Sequence, residues 1–157
     1  MIADPGEIRP GEGIAITRVL DAPRETVWRE WTTPEAFADW YGGESGRVPV
    51  DSVTMDLRAG GKWSLTMFAG PQEREISWEG TYLEVAEQER LVFTVTDQPG
   101  GGEYEVVTVV LAELDGERTE MRMSQTGGHM PPESYERAKQ GWGTFFDRMD
   151  ERLTAAT

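Results

Sequence analysis

The spacing of apolar and polar residues changes period along the chain, and the changes mark out the elements. Ile14-Ala15-Ile16-Thr17-Arg18-Val19-Leu20 alternates and is β-branched, which predicts a strand. Asp21-Ala22-Pro23 stops it, with Asp21 suited to cap and Pro23 to the first turn of a helix. That short helix runs from about Pro23 to Trp31, with Val27, Trp28 and Trp31 on one side. Thr33-Pro34-Glu35 starts a second short helix, which carries Ala36, Phe37, Trp40 and Tyr41 and ends at Gly42-Gly43. From Val48 the period becomes two, predicting strands at about 48–57, 61–69, 74–86, 91–97, 104–114 and 118–126. Gly/Pro-rich turns separate them, and Asp115-Gly116 is the clearest hairpin signal. Pro131-Pro132-Glu133 then opens a long helix to about Leu153, striped by Tyr135, Ala138, Trp142, Phe145, Phe146, Met149 and Leu153.

Strands joined by short turns are antiparallel, and a sheet buried on one face needs a cover. The final helix is the only large amphipathic element available. The predicted class is therefore α+β: a curved antiparallel sheet of about six or seven strands wrapped on a long C-terminal helix, with two short helices after the first strand. Residues 1–12, acidic and rich in Pro and Gly, read as a flexible tail, and 13–157 as a single domain.

Composition narrows the chemistry. In 157 residues there are 15 Lys and Arg against 29 Asp and Glu, a net charge of −14, with one His and no Cys. The missing thiols remove disulfides, cysteine nucleophiles and Cys-based metal sites, and a single imidazole removes a His-only metal cage. The acidic surplus argues against a nucleic-acid partner, which needs clustered Lys and Arg. No stretch approaches the roughly 18 apolar residues of a membrane span. The N-terminus has neither a basic nor an apolar segment of a secretory signal, so a cytoplasmic location is expected. Gly60-Gly61-Lys62 lacks the spacing of a phosphate loop, and Gly100-Gly101-Gly102 lies between strands rather than before a helix. No metal or cofactor site is expected.

Four segments carry a family resemblance: Leu20-Asp21-Ala22-Pro23-Arg24-Glu25-Thr26-Val27-Trp28, Trp31-Thr32-Thr33-Pro34-Glu35 through Asp39-Trp40-Tyr41-Gly42, Gly80-Thr81-Tyr82-Leu83-Glu84-Val85 through Glu89-Arg90-Leu91-Val92-Phe93-Thr94, and Gly141-Trp142 through Leu153. With the element order, they resemble the START-like helix-grip superfamily, also called SRPBCC. Within it they resemble the domain named for the activator of the heat shock protein 90 ATPase. The resemblance spans residues 13–154 or so and implies a helix-grip fold. It implies the C-terminal module of the eukaryotic co-chaperone alone, since the chain has no room for that protein's additional N-terminal domain. Superfamily relatives bind lipids, hormones or polyketides, and some are cyclases or dehydratases, so fold by itself does not fix function.

Alternation places residues on faces. Trp63, Leu65 and Met67 share one side of their strand, as do Met121 and Met123, with Thr119 and Gln125, of theirs. Val107, Val109 and Leu111 face inward, and so does Phe93. In 74–86, Glu84-Val85 favours Glu79, Thr81, Leu83 and Val85 inward, leaving Trp78 and Tyr82 outside. A bulge at Gly80 is the alternative, and would turn part of that strand over. The expected ligand pocket is Trp40, Trp63, Leu65, Met67, Glu79, Leu83, Phe93, Val109, Met121, Met123, Trp142 and Phe146. Trp40 and Trp63 fit a pocket wall or a packed core equally, and the methionines fit either an adaptable lining or gap filling. Glu79 is either a proton donor or acceptor in an apolar interior, or a solvated rim carboxylate. His129, in the link before the long helix, is either at a cavity mouth or a solvated loop residue.

The expectation that follows is a non-enzymatic module holding a small hydrophobic or amphipathic molecule between sheet and helix, with no catalytic residue. One alternative is a chaperone cofactor, from the resemblance. Another is a cyclase or dehydratase using Glu79, Tyr104, Gln125 or His129. The outward Trp78 and Tyr82 would make a homodimer surface.

Overall fold

The structure, a computed structural model, describes residues 13–127 and 130–155. Strand β1 (Gly13–Leu20) is followed by helices α1 (Arg24–Thr32) and α2 (Pro34–Trp40). Pro23 occupies the N-cap position of α1 and Thr33 that of α2, both extended and neither bonding through its side chain. Asp21 therefore does not cap α1, contrary to expectation; the proline's fixed φ sets the start instead. α1 buries Val27, Trp28, Glu30 and Trp31, and α2 buries Phe37, Ala38 and Trp40.

The predicted strand 48–57 is broken. It becomes β2 (Gly46–Arg47), a single 3₁₀ turn (Val50–Ser52) and β3 (Thr54–Met55). Pro49 has no N–H to give to a ladder, and its carbonyl accepts the Ser52 hydroxyl at 2.7 Å. Five hairpin-linked strands complete the sheet: β4 (Lys62–Ala69), β5 (Arg74–Ala86), β6 (Arg90–Val95), β7 (Glu105–Glu113) and β8 (Thr119–Thr126). The eight strands are ordered β1-β8-β7-β6-β5-β4-β2, with β3 also on β4, and every pairing is antiparallel. At the β7–β8 turn Asp115 Oδ1 accepts the backbone N–H of Glu117 and Arg118, so this hairpin closes where its Asp-Gly signal puts it.

Strand β5 corrects the predicted faces. Tyr82 is 2% exposed and Leu83 is 43% exposed, while Trp78 is half-buried against the core and Glu79 is exposed. The register shifts between Tyr82 and Glu84, so the bulge sits there and not at Gly80. Val85 is inward only because that extra residue reverses the parity; extending its parity back along the strand turned Glu79 and Leu83 the wrong way. With Trp78 and Tyr82 inward, the apolar patch expected on the outer face does not exist.

Helix α3 (Pro132–Ala155) lies across the concave face and buries Tyr135, Trp142, Phe146, Met149 and Leu153. Arg18 of β1 pins it, donating to the Gly143 carbonyl at 3.2 Å and pairing with Asp147 at 2.9 Å. Among the described residues no helix is long and apolar enough to cross a membrane.

Candidate functional site

The grip interior is packed. Trp31 stands at its centre, with ring centroids of Trp40, Phe146, Trp142 and Phe93 within 4.8–6.2 Å. Ten of the twelve expected pocket residues are buried members of this core: Trp63, Trp142 and the eight residues Trp40, Leu65, Met67, Phe93, Val109, Met121, Met123 and Phe146. Those eight line neither of the two cavities described below, because large aromatic and Met side chains from α1, α2 and α3 fill the space that the sheet encloses.

The space that remains lies at one end of the grip. There β6 ends, a hairpin loop leads into β7, and the first half of α3 crosses above. The cavity is about 460 Å³, within the range of small-molecule sites. Its aromatic wall is Tyr41 from the end of α2, Trp78 from β5, and Trp142 and Phe145 from α3. Tyr41 is the hub: its ring meets Trp78 edge-on at 5.9 Å, Trp142 edge-on at 5.9 Å and Phe145 at 5.0 Å. Burial pushes the Tyr41 hydroxyl far above its ordinary pKa, and the charge of Asp97 adds to it, so Tyr41 is a neutral phenol.

The polar side comes from β7, β8 and the loop between β6 and β7: Thr96, Asp97, Gln98, Glu103, Tyr104, Glu105 and Gln125. Trp142 Nε1 donates to Gln125 Oε1 at 2.7 Å, and Gln125 Nε2 donates to Glu105 Oε1 at 3.4 Å. The chain of bonds stops there. Glu105 is 8% exposed, and its second oxygen, Oε2, is buried without a partner. That oxygen packs against Gly127, where an added Cβ would stand 1.7 Å from it. The one other unpartnered buried side-chain atom among the described residues is Trp78 Nε1, in the wall of the same cavity. The contrast with the inner indoles is sharp: Trp31 donates to Met121 Sδ, Trp40 to the Glu30 carbonyl and Trp63 to the Thr94 carbonyl.

Of the expected pocket residues, Trp142 alone lines this cavity. Trp63, Glu79 and Leu83 border a second, open groove of about 610 Å³ on the other side of the same loop, beside Lys62 and Thr81. Tyr104 and Gln125, named as enzyme candidates, come together at the cavity; Glu79 is absent from its lining and shares only the second groove with Tyr104. His129 and the 1–12 tail lie outside the described residues. The residue missed altogether was Glu105. Its signal was present: it shares the parity of Val107, Val109 and Leu111, so alternation turns it inward with them.

A curved antiparallel sheet closed by a C-terminal helix, with an aromatic-walled cavity at the open end, defines a helix-grip protein. The sequence matches the family described as "Activator of Hsp90 ATPase homolog 1-like protein" over residues 21–154, and the chain belongs to that family. Similar solved structures include a protein from Chromobacterium violaceum, with 27% identity, a TM-score of 0.78 and coverage of 90% of this chain and 96% of that one. A protein from Nitrosomonas europaea has 22% identity and a TM-score of 0.78, covering 95% and 98% of the two chains. The AHSA1 protein from Silicibacter pomeroyi shares the fold at 18% identity, with a TM-score of 0.78 and coverage of 92% and 99%. No curated protein matches the sequence significantly.

Proposed function

We propose that the protein binds a small amphipathic molecule in the cavity between the open end of the sheet and α3, and acts as a binding module rather than an enzyme. One observation carries this reading: a buried donor, Trp78 Nε1, and a buried acceptor, Glu105 Oε2, lack partners in the wall of one cavity. Buried polar groups are almost always hydrogen-bonded, and leaving one unpaired costs about 1–3 kcal/mol. Two such groups on residues that line one space suit an occupant that supplies an acceptor and a donor, with Glu105 turning its Oε2 from Gly127 to meet it. The rings of Tyr41, Trp78, Trp142 and Phe145 would hold its apolar part. This reading is preferred to a chaperone cofactor because it rests on groups in the molecule itself and not on the family's name.

The test is calorimetric titration with naphthylmethanol, a neutral bicyclic probe with one hydroxyl. Saturable one-to-one binding is expected. Ala138→Phe, which fills the cavity from the α3 side, should abolish it while helix content stays unchanged. Absence of saturable binding, or binding indifferent to Ala138→Phe, would overturn the proposal.

A further inference from the structure

We infer that the occupant of this cavity is a cationic aromatic amine, and that the site discriminates against anionic amphiphiles. The inference rests on the binding proposal above and adds the charge of the ligand to it. Every titratable side chain with a carboxyl or amino group in the lining is an acid: Asp97, Glu103 and Glu105. No Lys or Arg stands among the described lining residues. Glu105 is more than nine-tenths buried, and its Oε2, packed against Gly127, has no hydrogen bond, so a rotation of the carboxyl toward the cavity gives a ligand's donor an acceptor already stripped of water. Asp97 and Glu103 are exposed at the rim, where they set the sign of the field at the entrance. Asp97's field reaches inside, since it helps keep the Tyr41 phenol from ionising.

The apolar wall agrees with a cation. Indole and phenol rings present negative faces, and an ammonium group held over them gains further attraction. A carboxylate-headed lipid meets the reverse: three carboxyl-bearing side chains and, among the described lining residues, no Lys or Arg to pair with, in an acidic protein of net charge −14. Trp78 Nε1 then asks for a weak acceptor, such as an ether or carbonyl oxygen, on the ligand's ring system.

Three probes sharing one ring separate charge from shape: naphthylmethylamine, naphthylmethanol and naphthylacetic acid, each titrated calorimetrically into the intact chain at low ionic strength. The amine should bind about tenfold or more tightly than the alcohol, and the acid more weakly than either. Glu105→Gln should bring the amine down to the level of the alcohol. Because Glu105 is part of a buried network, the rim double variant Asp97→Asn, Glu103→Gln serves beside it; it should weaken the amine severalfold and strengthen the acid. Equal binding of all three probes, or a preference for the acid, would overturn the inference and leave the binding proposal standing. Failure of all three to bind would remove both.

Discussion

Trp142 of α3 donates its indole N–H to the Gln125 side chain of β8 at 2.7 Å, and this bond ties the helix to the sheet at the edge of the cavity. Trp142→Phe keeps a ring there but removes the donor, leaving Gln125 Oε1 buried without a partner. The expected loss is about 1–2 kcal/mol in urea unfolding. Gln125→Met alone strands the Trp142 donor instead, and only the two changes together remove both ends of the bond, so the double variant should lose less than the two single losses added together. Simple additivity would show that the bond contributes nothing of its own.

A second fastening lies at the far end of α3. Arg152 donates to Glu30 Oε1 at 2.8 Å and Oε2 at 3.2 Å, and also pairs with Asp39. The Glu30 side chain is only 8% exposed. Arg152→Met would strand that carboxylate, and a loss of about 3 kcal/mol or more in thermal or urea unfolding is expected. Adding Glu30→Gln should recover part of it, since the stranded charge is then gone. If the double variant is as unstable as Arg152→Met alone, the loss comes from packing of the arginine stem and not from charge.

The element order, the antiparallel sheet and the stripe of α3 were legible because each rests on a local period. Trp142, Phe146 and Leu153 recur at helical spacing, and Met121 and Met123 alternate cleanly. The cavity was not legible, for two physical reasons. Filling of the interior depends on how Trp31, Trp40 and Phe146 interlock, and no period encodes that. A one-residue bulge in β5 inverted the faces of Trp78 and Glu79, replacing an expected acidic interior residue with an aromatic one. Glu105 was readable, since the predicted strand 104–114 contains it and its parity is that of Val107, Val109 and Leu111.

Two phenols should limit stability in alkali. Burial holds the hydroxyls of Tyr41 and Tyr82 well above the ordinary value of 10.0, with Asp97 and Asp56 respectively adding to the shift. Above pH 10 the unfolded chain loses these protons and the folded chain keeps them, so unfolding gains free energy as pH rises. Stability from this source is flat below pH 10 and then falls by about 1.4 kcal/mol per pH unit for each tyrosine. Tyr41→Phe and Tyr82→Phe should each flatten the alkaline limb of the urea midpoint by one such contribution. An alkaline limb unchanged in both variants would contradict the assignment.

Gly80 has a role different from the bulge its position suggested. An added Cβ would stand 1.7 Å from the Thr94 carbonyl oxygen and 2.5 Å from Trp63 Nε1, two atoms that are themselves bonded at 2.9 Å. Neither the backbone oxygen nor the buried indole can withdraw, so Gly80→Ala should cost about 4 kcal/mol or prevent folding. Gly70→Ala is the control. Gly70 has φ of +76° and open space around it, so the cost there is the backbone strain alone, about 1 kcal/mol. Similar losses at the two positions in urea unfolding would mean that strand β6 shifts to accept the methyl group.

Gly141 sets stability against binding at one position. It lies inside α3, where glycine costs a helix about 0.8–1 kcal/mol relative to alanine. An added Cβ meets nothing within 4 Å, so no clash explains the residue. It does line the cavity, next to Trp142 and across from the acidic loop. Gly141→Ala should therefore raise the urea midpoint, corresponding to about 0.5–1 kcal/mol, because the folded helix already has the geometry alanine prefers. Larger side chains at the same place should close the opening: Gly141→Leu is expected to keep most of the helix gain while reducing the affinity for naphthylmethanol about tenfold. Stability and affinity moving in opposite directions would identify Gly141 as a residue retained for access. If Gly141→Leu binds the probe as well as the parent chain does, the ligand does not approach past this face of α3.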